Sequence, residues 1–330
     1  MTSTRKGPET MRLTAEGQPG LVSVVVPNYN GAAYLADCLA SLRAQTYEPL
    51  EILVVDDAST DGSAAIVTAG GFATRLIQLA ENRGFAYAAN RGMEAARGSI
   101  IALLNNDAAA EPRWVEELVA ALDRHPDAGS AASKVLLMDR PTTLNSAGDI
   151  FKRSGVPDNR GAWQKDLGQY DEEVEVFGAS GAALAYRRAM LADVGLFDER
   201  FFMYCEDVDL AFRAQLGGYA CIYAPRAVVH HQLGASGGGT LASYYCGRNF
   251  IWLLARDVPA ALWRRHWARM LGAQISIAAI ALIHFREPAA RARLRGQLAG
   301  LATTPEFMAE RGQLARGRRV SDSYLLGLLA

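Results

Sequence analysis

Four largely apolar segments alternate with helical segments over the first 127 residues of this 330-residue chain, and this alternation limits the fold more than any other feature. The apolar segments are Val22–Val26, Ile52–Val55, Arg75–Leu79 and Ile100–Leu104. Strands that are apolar almost throughout are buried on both faces, and parallel pairing requires crossovers such as these helices. The sequence therefore predicts an α/β class with a mostly parallel sheet and helices on both faces.

Polar clusters follow three of these strands: Asn28-Tyr29-Asn30, Asp56-Asp57 and Asn105-Asn106-Asp107. Ligands of parallel sheets bind beyond the carboxyl ends of the strands, so we expect the three clusters on one rim. Asp107 with amide oxygens suits Mg²⁺ or Mn²⁺, and hence a diphosphate; the alternative is a helix cap. The Asp56 carboxylate suits the N–H of a pyrimidine ring; the alternative is a loop-capping role.

Several function classes lack their sequence features. The first strand runs into Pro27-Asn28-Tyr29-Asn30-Gly31 instead of the glycine pattern of dinucleotide-binding enzymes, and there is no phosphate-binding P-loop sequence. A net charge of −1 gives no case for nucleic-acid binding. The four cysteines, with no CxxC spacing, indicate buried free thiols in a reducing compartment. The polar first 20 residues resemble no secretory signal and are expected to form a loose tail.

The motifs Val24–Asn30, Val54–Gly62, Asn82–Phe85 and Leu104–Asp107 resemble, in order and spacing, those of family 2 glycosyltransferases. The likeness extends from Leu21 to Arg256 and is closest to bacterial rhamnosyltransferase-like members. It implies the GT-A fold: a Rossmann-like, mostly parallel sheet followed by a helical C-terminal region. It also implies a nucleotide-diphosphate-sugar donor.

The resemblance assigns candidate residues to the donor and the metal. The donor-binding set is Pro27, Tyr29, Asn30, Asp56, Asp57, Arg83, Gly84, Asn106 and Asp107. The metal-binding Asp-x-Asp motif reads Asn105-Asn106-Asp107 here, so one carboxylate remains and a further ligand is expected. In some members a histidine near His230-His231 ligates the metal. Neighbouring strand residues point to opposite faces, so one of the two faces the cleft, and we predict His230.

The segment Glu206-Asp207 precedes a predicted helix, Val208–Gln215, and carries the expected catalytic acids. First-turn acids that complement the helix dipole are the alternative. In the family the second acid is the general base, which matches Asp207, with Glu206 beside it. Asp209 is expected to make helix and scaffold contacts or acceptor-side contacts. Gly181, in the small-residue segment 177–183, is expected on the acceptor side; dense strand packing is the alternative.

We expect a loose tail over residues 1–20, a catalytic domain over 21–239 and a helical region over 240–330. The catalytic domain divides into a nucleotide-binding half, 21–127, and an acceptor-side half, 128–239. The later strands are predicted at Ser133–Met138, Val174–Tyr186, Cys221–Tyr223 and Val228–His230. The C-terminal helices are expected to break near Pro259, Pro288 and Pro305.

The C-terminal region is strongly basic. Residues 256–330 hold twelve arginines and five acids, a net charge of +7, so the first 255 residues carry −8. Trp252, Trp263 and Trp267 precede the apolar stretch Met270–Phe285, which is shorter than the roughly 20 residues that span a bilayer. This pattern predicts a helix lying on an anionic membrane surface. Packing on the catalytic domain or on a dimer partner is the alternative.

Together these features predict a metal-dependent, inverting glycosyltransferase on the cytoplasmic face of a bacterial plasma membrane. It would move a sugar, rhamnose by likeness, to a glycan or lipid-linked acceptor during cell-surface polysaccharide assembly. One alternative is a sugar-nucleotidyltransferase, although Asn28–Ala33 lacks the glycine-rich basic loop of that class. The other is a non-catalytic nucleotide-sugar-binding protein.

Overall fold

The computed structural model describes residues 13–69, 74–234 and 239–330. The first half alternates strands and helices as predicted. Its elements are β1 (Gln18–Asn28), α1 (Ala32–Arg43), β2 (Leu50–Asp56), α2 (Ser63–Ala69), β3 (Thr74–Gln78), α3 (Phe85–Ala95), β4 (Gly98–Leu104), β5 (Ala108–Ala110) and α4 (Trp114–Arg124).

The described part of the second half adds seven strands with α5, a 3-10 helix and α6 among them, and then four helices. Its elements are β6 (Ala128–Leu137), β7 (Leu144–Ala147), β8 (Asp149–Phe151), β9 (Pro157–Asn159), β10 (Val174–Val176), β11 (Ala183–Arg187), α5 (Arg188–Val194), a 3-10 helix (Glu199–Phe201), α6 (Glu206–Leu216), β12 (Ala220–His231), α7 (Gly239–Arg256), α8 (Ala260–Ile283), α9 (Pro288–Arg316) and α10 (Asp322–Leu328).

Ten strands form one mixed, mostly parallel sheet in the order β10-β12-β6-β11-β4-β1-β2-β3, with β5 beside β12 and β7 beside β6. β1 pairs in parallel with β2 and β4, whereas β11 runs antiparallel between β4 and β6. One apolar cluster, including Val24 and Trp114, fills one face, and another, including Val25 and Met93, fills the other. The sheet is therefore covered on both faces, as the apolar strands require.

Several predicted boundaries are wrong. β1 begins at Gln18, whose N–H donates to the Arg97 carbonyl, and Leu13 packs against the apolar cluster on one face of the sheet, so residues 13–20 do not form the expected loose tail; residues 1–12 lie outside the described part. The predicted strand from Val174 to Tyr186 is two strands, β10 and β11, that hold different places in the sheet.

Two further expectations also differ from the structure. The predicted short strands around Cys221 and Val228 form one strand, β12, whose register shifts between Ala224 and Val228, where Pro225 lacks an N–H. The expected break at Pro305 is wrong because Pro305 lies inside α9. That helix packs extensively against α7, and tertiary packing outweighs the local cost of proline.

The C-terminal helices pack against the catalytic part of the fold. An apolar cluster joins Phe201 and Phe212 to Trp252 of α7 and Phe307 of α9. α7 and α9 approach closely because small residues line their contact: a Cβ on Gly296 would overlap the backbone of α7. α7 thereby lies directly against the segment that precedes α6.

Candidate active site

The carboxyl ends of β1, β2 and β4 meet through buried amide and carboxylate side chains. Asn28 Nδ2 donates to Asp56 Oδ1 at 2.8 Å, and Asn106 Nδ2 donates to Asn28 Oδ1 at 2.7 Å. The predicted common rim is confirmed. Asn28 joins all three strand ends; it belongs to the first predicted polar cluster but was left out of the donor-binding set.

Asp56 and Asp57 shape the loops of this rim. Besides Asn28, Asp56 accepts the Ser59 N–H at 3.3 Å, so both of its oxygens serve the protein, as the loop-capping alternative expects. Asp57 accepts the N–H groups of Arg83 and Gly84 at 2.9 and 2.8 Å. Burial raises the pKa of Asp57, and these two hydrogen bonds oppose the rise.

The remaining donor-side candidates divide by exposure. Pro27, Gly84 and Asn106 are buried, whereas Tyr29, Asn30 and Arg83 are exposed. Asn30 has φ of 50°, and its Oδ1 accepts the Thr60 N–H at 2.8 Å, which fixes the turn after β1. The Arg83 guanidinium lies 3.8 Å from the Tyr87 ring centroid. The rim thus presents the Tyr29 ring and the Arg83 guanidinium to a ligand, above the buried polar side chains of Asn28, Asp56 and Asn106.

Asp107 lies beside a histidine, but not the predicted one. His231 Nε2 is 3.2 Å from Asp107 Oδ1, and His231 Nδ1 is 3.0 Å from Asn145 Oδ1. The preference for His230 is wrong, because alternation along β12 directs His230 to Glu111 at 3.2 Å. Asp107 is 1% exposed, so the pair lies at the base of the rim.

The two catalytic candidates open α6 rather than precede it, because the helix starts at Glu206. Asp207 Oδ2 accepts the Gly181 N–H at 2.8 Å, and a Cβ on Gly181 would lie 3.3 Å from that oxygen. Glycine at 181 therefore allows the backbone to approach the carboxylate. Asp207 remains partly exposed while Glu206 is buried, so Asp207 is the one that a substrate hydroxyl could reach.

Three carboxyl groups crowd this position. Burial, and then the charge of Asp207, raise the pKa values of Glu206 and of Asp149 well above their ordinary range. Burial also raises the pKa of Asp207, but N–H donors from Gly181 and Val208 lower it. The two backbone N–H donors favour the charged form of Asp207. No sequence pattern pointed to Asp149, because it follows a short strand in an irregular segment.

Asp209 makes helix and scaffold contacts, the first of its two expected roles, and the acceptor-side alternative is wrong. It is 0% exposed, and its carboxylate binds Arg213 at 2.7 Å and also Arg256. Arg256 extends the network to Asp198 at 2.5 Å and Asp257 at 2.8 Å. This network fastens α6 to the end of α7 and leaves no surface for a substrate.

α8 projects a largely apolar surface. It is, among the described residues, the one helix long and apolar enough to cross a membrane by length and composition, and 22% of its most apolar window is buried. Trp267, Leu271, Ile275 and Leu282 are exposed, and a groove of about 740 Å³ with mostly apolar lining runs between α7, α8 and α9. Arg264, Arg265 and Arg269 lie exposed in the first half of the same helix.

Residues 23–195, just over half of the chain, match the family model described as glycosyl transferase family 2. The chain is 27% identical to N-acetylglucosaminyl-diphospho-decaprenol L-rhamnosyltransferase of Mycobacterium tuberculosis, over 74% of this chain and 87% of that relative. It is also 27% identical to glucosyl-dolichyl phosphate glucuronosyltransferase of Haloferax volcanii, over 64% of this chain and 69% of that relative.

Two solved structures resemble most of the chain. The mannosyltransferase PcManGT from Pyrobaculum calidifontis, in complex with GDP-Man and Mn²⁺, matches with a TM-score of 0.53 and 20% identity over 93% of this chain and 82% of its own. S. aureus TarS 1-349, in complex with UDP-GlcNAc, matches with a TM-score of 0.53 and 19% identity over 93% of this chain and 83% of its own. The predicted GT-A fold is confirmed.

Proposed function

The chain belongs to glycosyl transferase family 2, and we propose that it is an inverting enzyme moving a sugar from a nucleotide-diphosphate donor to an acceptor hydroxyl. The observation that carries this proposal is the placement of Asp207. The residue is partly exposed, and its carboxylate accepts the Gly181 N–H at 2.8 Å and lies in a crowded acidic cluster. Family membership disfavours the sugar-nucleotidyltransferase alternative.

The proposed reaction is a single displacement. The acceptor hydroxyl attacks the anomeric carbon in line with the departing nucleotide diphosphate, and Asp207 takes the hydroxyl proton. Attack from the side opposite the leaving group inverts the anomeric centre. The rigid rim built from Asn28, Asp56 and Asn106 holds the donor loops in place, which supports in-line geometry.

The residues at the base of the rim fit a divalent cation. Asp107 offers a carboxylate oxygen and His231 an imidazole nitrogen, 3.2 Å apart, and both donor types suit Mn²⁺; Mg²⁺ is the other candidate. Among the described residues no cluster of three or more such side chains could hold a metal, so the remaining ligands would be diphosphate oxygens and water. The cation would neutralise charge on the departing diphosphate.

The names of the two relatives support a lipid-linked acceptor. Both contain a polyprenyl carrier, decaprenol in one and dolichyl phosphate in the other. We therefore propose a glycan hydroxyl on a lipid carrier, dTDP-rhamnose as the first donor to test, and a role in cell-surface polysaccharide assembly. The exposed apolar face and the arginines of α8 support attachment to the cytoplasmic face of a bacterial plasma membrane.

A donor screen tests the catalytic proposal. The protein is incubated with UDP-, GDP- and dTDP-sugars, with Mn²⁺ or with EDTA, and release of the nucleoside diphosphate is measured with and without a lipid-linked acceptor. We expect acceptor-stimulated release from one nucleotide class, dependent on Mn²⁺. A non-catalytic nucleotide-sugar-binding protein would bind a donor, show no release, and contradict the proposal.

Vesicle co-sedimentation tests the membrane proposal. Attraction to anionic lipid is worth about 1 kcal/mol per arginine near the surface, and salt screens it. We expect binding to phosphatidylglycerol vesicles at low salt that weakens at high salt, and little binding to neutral vesicles. Binding that resists both salt and alkaline carbonate would show instead that α8 inserts across the bilayer. Recovery in the supernatant under every condition would leave α8 as a packing or dimer element.

A further inference from the structure

The segment that leads into α6, residues 200–205, has an unfavourable backbone. Phe202, Tyr204 and Cys205 have φ of 66°, 65° and 67°, a region that side chains with a Cβ rarely adopt. The Met203 N–H donates to the Phe201 carbonyl at 2.7 Å, which closes a tight turn around Phe202. Such a conformation persists only where surrounding groups hold it.

α7 supplies the groups that hold this segment. Asn249 is 0% exposed, and its Nδ2 donates to the carbonyls of Phe201, Met203 and Tyr204 at 3.2, 3.0 and 2.6 Å. The Arg248 Nε–H donates to Asn249 Oδ1 at 2.9 Å, which orients the amide with its nitrogen towards these carbonyls.

Two further contacts from α7 reach the same segment. Arg248 Nη2 donates to the Arg200 and Phe201 carbonyls at 2.9 and 2.8 Å. The Tyr245 ring stacks on Phe202 with centroids 5.0 Å apart and planes at 10°. One turn of α7 therefore contacts most of the segment, and Asn249 alone contacts three of its carbonyls.

The same segment connects both halves of the candidate site. Its last residue, Cys205, is the N-cap of α6, so its path sets where Glu206 and Asp207 lie. The Phe202 carbonyl accepts the Ala86 N–H at 3.0 Å at the start of α3, and Phe202 packs against Gly84 of the donor side. A change in this segment would move the acid pair relative to the donor loops.

We propose that Asn249 is a positioning residue for Asp207: by holding segment 200–205, it keeps the Asp207 carboxylate at the Gly181 N–H. The catalytic consequence rests on the proposed role of Asp207 as general base. The structural consequence does not, so the two are tested with separate readouts.

Asn90 provides a matched control. It is also a buried asparagine on a helix, and it binds the Phe197 N–H at 3.0 Å and the Phe197 carbonyl at 2.9 Å. Its Nδ2 also donates to the Glu199 side chain at 3.2 Å, but these bonds involve no carbonyl of segment 200–205. Asn249→Leu and Asn90→Leu each replace an amide with an apolar group of similar size. Arg248→Lys is a milder third variant, which removes the orienting contact to Asn249 while keeping the charge.

The first readout needs no activity. Cys205 is buried, and Cys221 in β12 is a buried internal reference. Alkylation with iodoacetamide is followed by peptide mass spectrometry in the folded proteins. We expect Cys205 to react at least about tenfold faster in Asn249→Leu than in wild type, since local opening exposes it, with Cys221 unchanged. Asn90→Leu should leave Cys205 unreactive, and an unchanged Cys205 rate in Asn249→Leu overturns the proposal.

The second readout is steady-state transfer. A misplacement of about 1 Å costs on the order of 10²-fold in rate, so we expect kcat of Asn249→Leu to fall by about 10–100-fold with KM for donor nearly unchanged. Arg248→Lys should show a smaller fall of the same kind. In the Asp207→Asn background, Asn249→Leu should lower kcat little further, because the effects of substitutions that act through one group are not additive. Full additivity, or a similar loss of kcat in Asn90→Leu, overturns positioning through Asp207.

The two readouts distinguish the failure of each claim. If Cys205 becomes reactive in Asn249→Leu while Asp207→Asn remains fully active, the general-base role of Asp207 is wrong. The claim that Asn249 holds segment 200–205 is then still supported. If Asn249→Leu does not fold, both measurements are made on Arg248→Lys. An unchanged Cys205 alkylation rate together with an unchanged kcat in that variant overturns the proposal.

Discussion

Asp107 and His231 lie 3.2 Å apart at the base of the rim, and they determine how the donor diphosphate would be held. His230, one residue away, instead faces Glu111. Because the two histidines are neighbours on one strand, they form a matched pair for substitution. Any general destabilisation of β12 affects both variants, whereas loss of a metal ligand affects only one.

We expect Asp107→Ala and His231→Ala to lower Mn²⁺-dependent nucleotide affinity by at least about tenfold, since even outer partners of metal ligands are worth about 10–100-fold. His230→Ala should bind as wild type. Titration calorimetry with a nucleoside diphosphate, with Mn²⁺ and with EDTA, measures this. Equal affinities for the His230 and His231 variants would remove His231 from the site.

Glu206 gives a pH-dependent prediction of stability. Burial raises its folded-state pKa well above the unfolded value, helped by the charges of Asp207, Cys246 and Asp209 around it. Between the two pKa values the folded protein binds more protons, so the free energy of unfolding falls as pH rises. Glu206→Gln has no group that titrates here, so it avoids this fall in the free energy of unfolding and should be more stable than wild type at pH 8.

Below the unfolded pKa, roughly 4.3, Glu206 is protonated in both states and the advantage of Glu206→Gln should vanish. Urea unfolding at pH 8 and near pH 3 measures both limits. Glu172→Gln, at an exposed site, is the control and should track wild type at each pH. A Glu206→Gln protein less stable than wild type at pH 8 would contradict the described electrostatics.

At the scale of elements, α6 carries the acid pair and is fastened by charged side chains as well as by packing. Burial alone would raise the pKa of Asp198, but hydrogen bonds from Arg200 and the charge of Arg256 lower it to about 2. The same Arg256 pairs with Asp209 in the first turn of α6. The end of α7 thereby contributes to the position of α6 independently of Asn249.

Asp209→Asn should therefore destabilise the fold strongly. Removing one partner from a buried ion pair leaves uncompensated charge and costs about 3–5 kcal/mol. Chemical unfolding measures the loss. Asp193→Asn breaks a pair between Asp193 and Arg319 at the surface and should barely move the midpoint. Similar midpoints for Asp209→Asn and Asp193→Asn would argue against the buried network.

α8 gives a prediction about the membrane surface. Replacing Leu271, Ile275 and Leu282 together with serine keeps the net charge and removes three exposed apolar side chains. Full burial of each is worth about 1.5–3 kcal/mol, so pellet recovery with anionic vesicles should fall by more than about tenfold. Leu167→Ser, at an exposed site on the catalytic part, should have no effect. Unchanged binding of the triple variant would mean that arginines alone attach the protein.

At the scale of the whole molecule, the parts that follow from local patterns were predictable. Apolar runs and strand-end clusters gave the sheet and the rim, because the carboxyl ends of parallel strands meet at one edge. The choice between His230 and His231 depends on register, which neighbours across the sheet set and the sequence does not display. Both a scaffold and an acceptor-side role were open for Asp209 because its partner Arg256 is 47 residues away. The roles of Asp149 and Asn249 depend likewise on contacts that only the folded chain makes.

The proposed role of Asp207 as the general base of a glycosyl transfer is tested by the Asp207→Asn variant. The variant keeps the shape of the side chain and removes its basicity. Single-turnover transfer to acceptor should fall by about 10²–10⁴-fold, while donor affinity in the presence of Mn²⁺ stays within about threefold of wild type. Transfer within a few-fold of wild type at unchanged donor affinity would show that another group takes the proton, and would contradict the account.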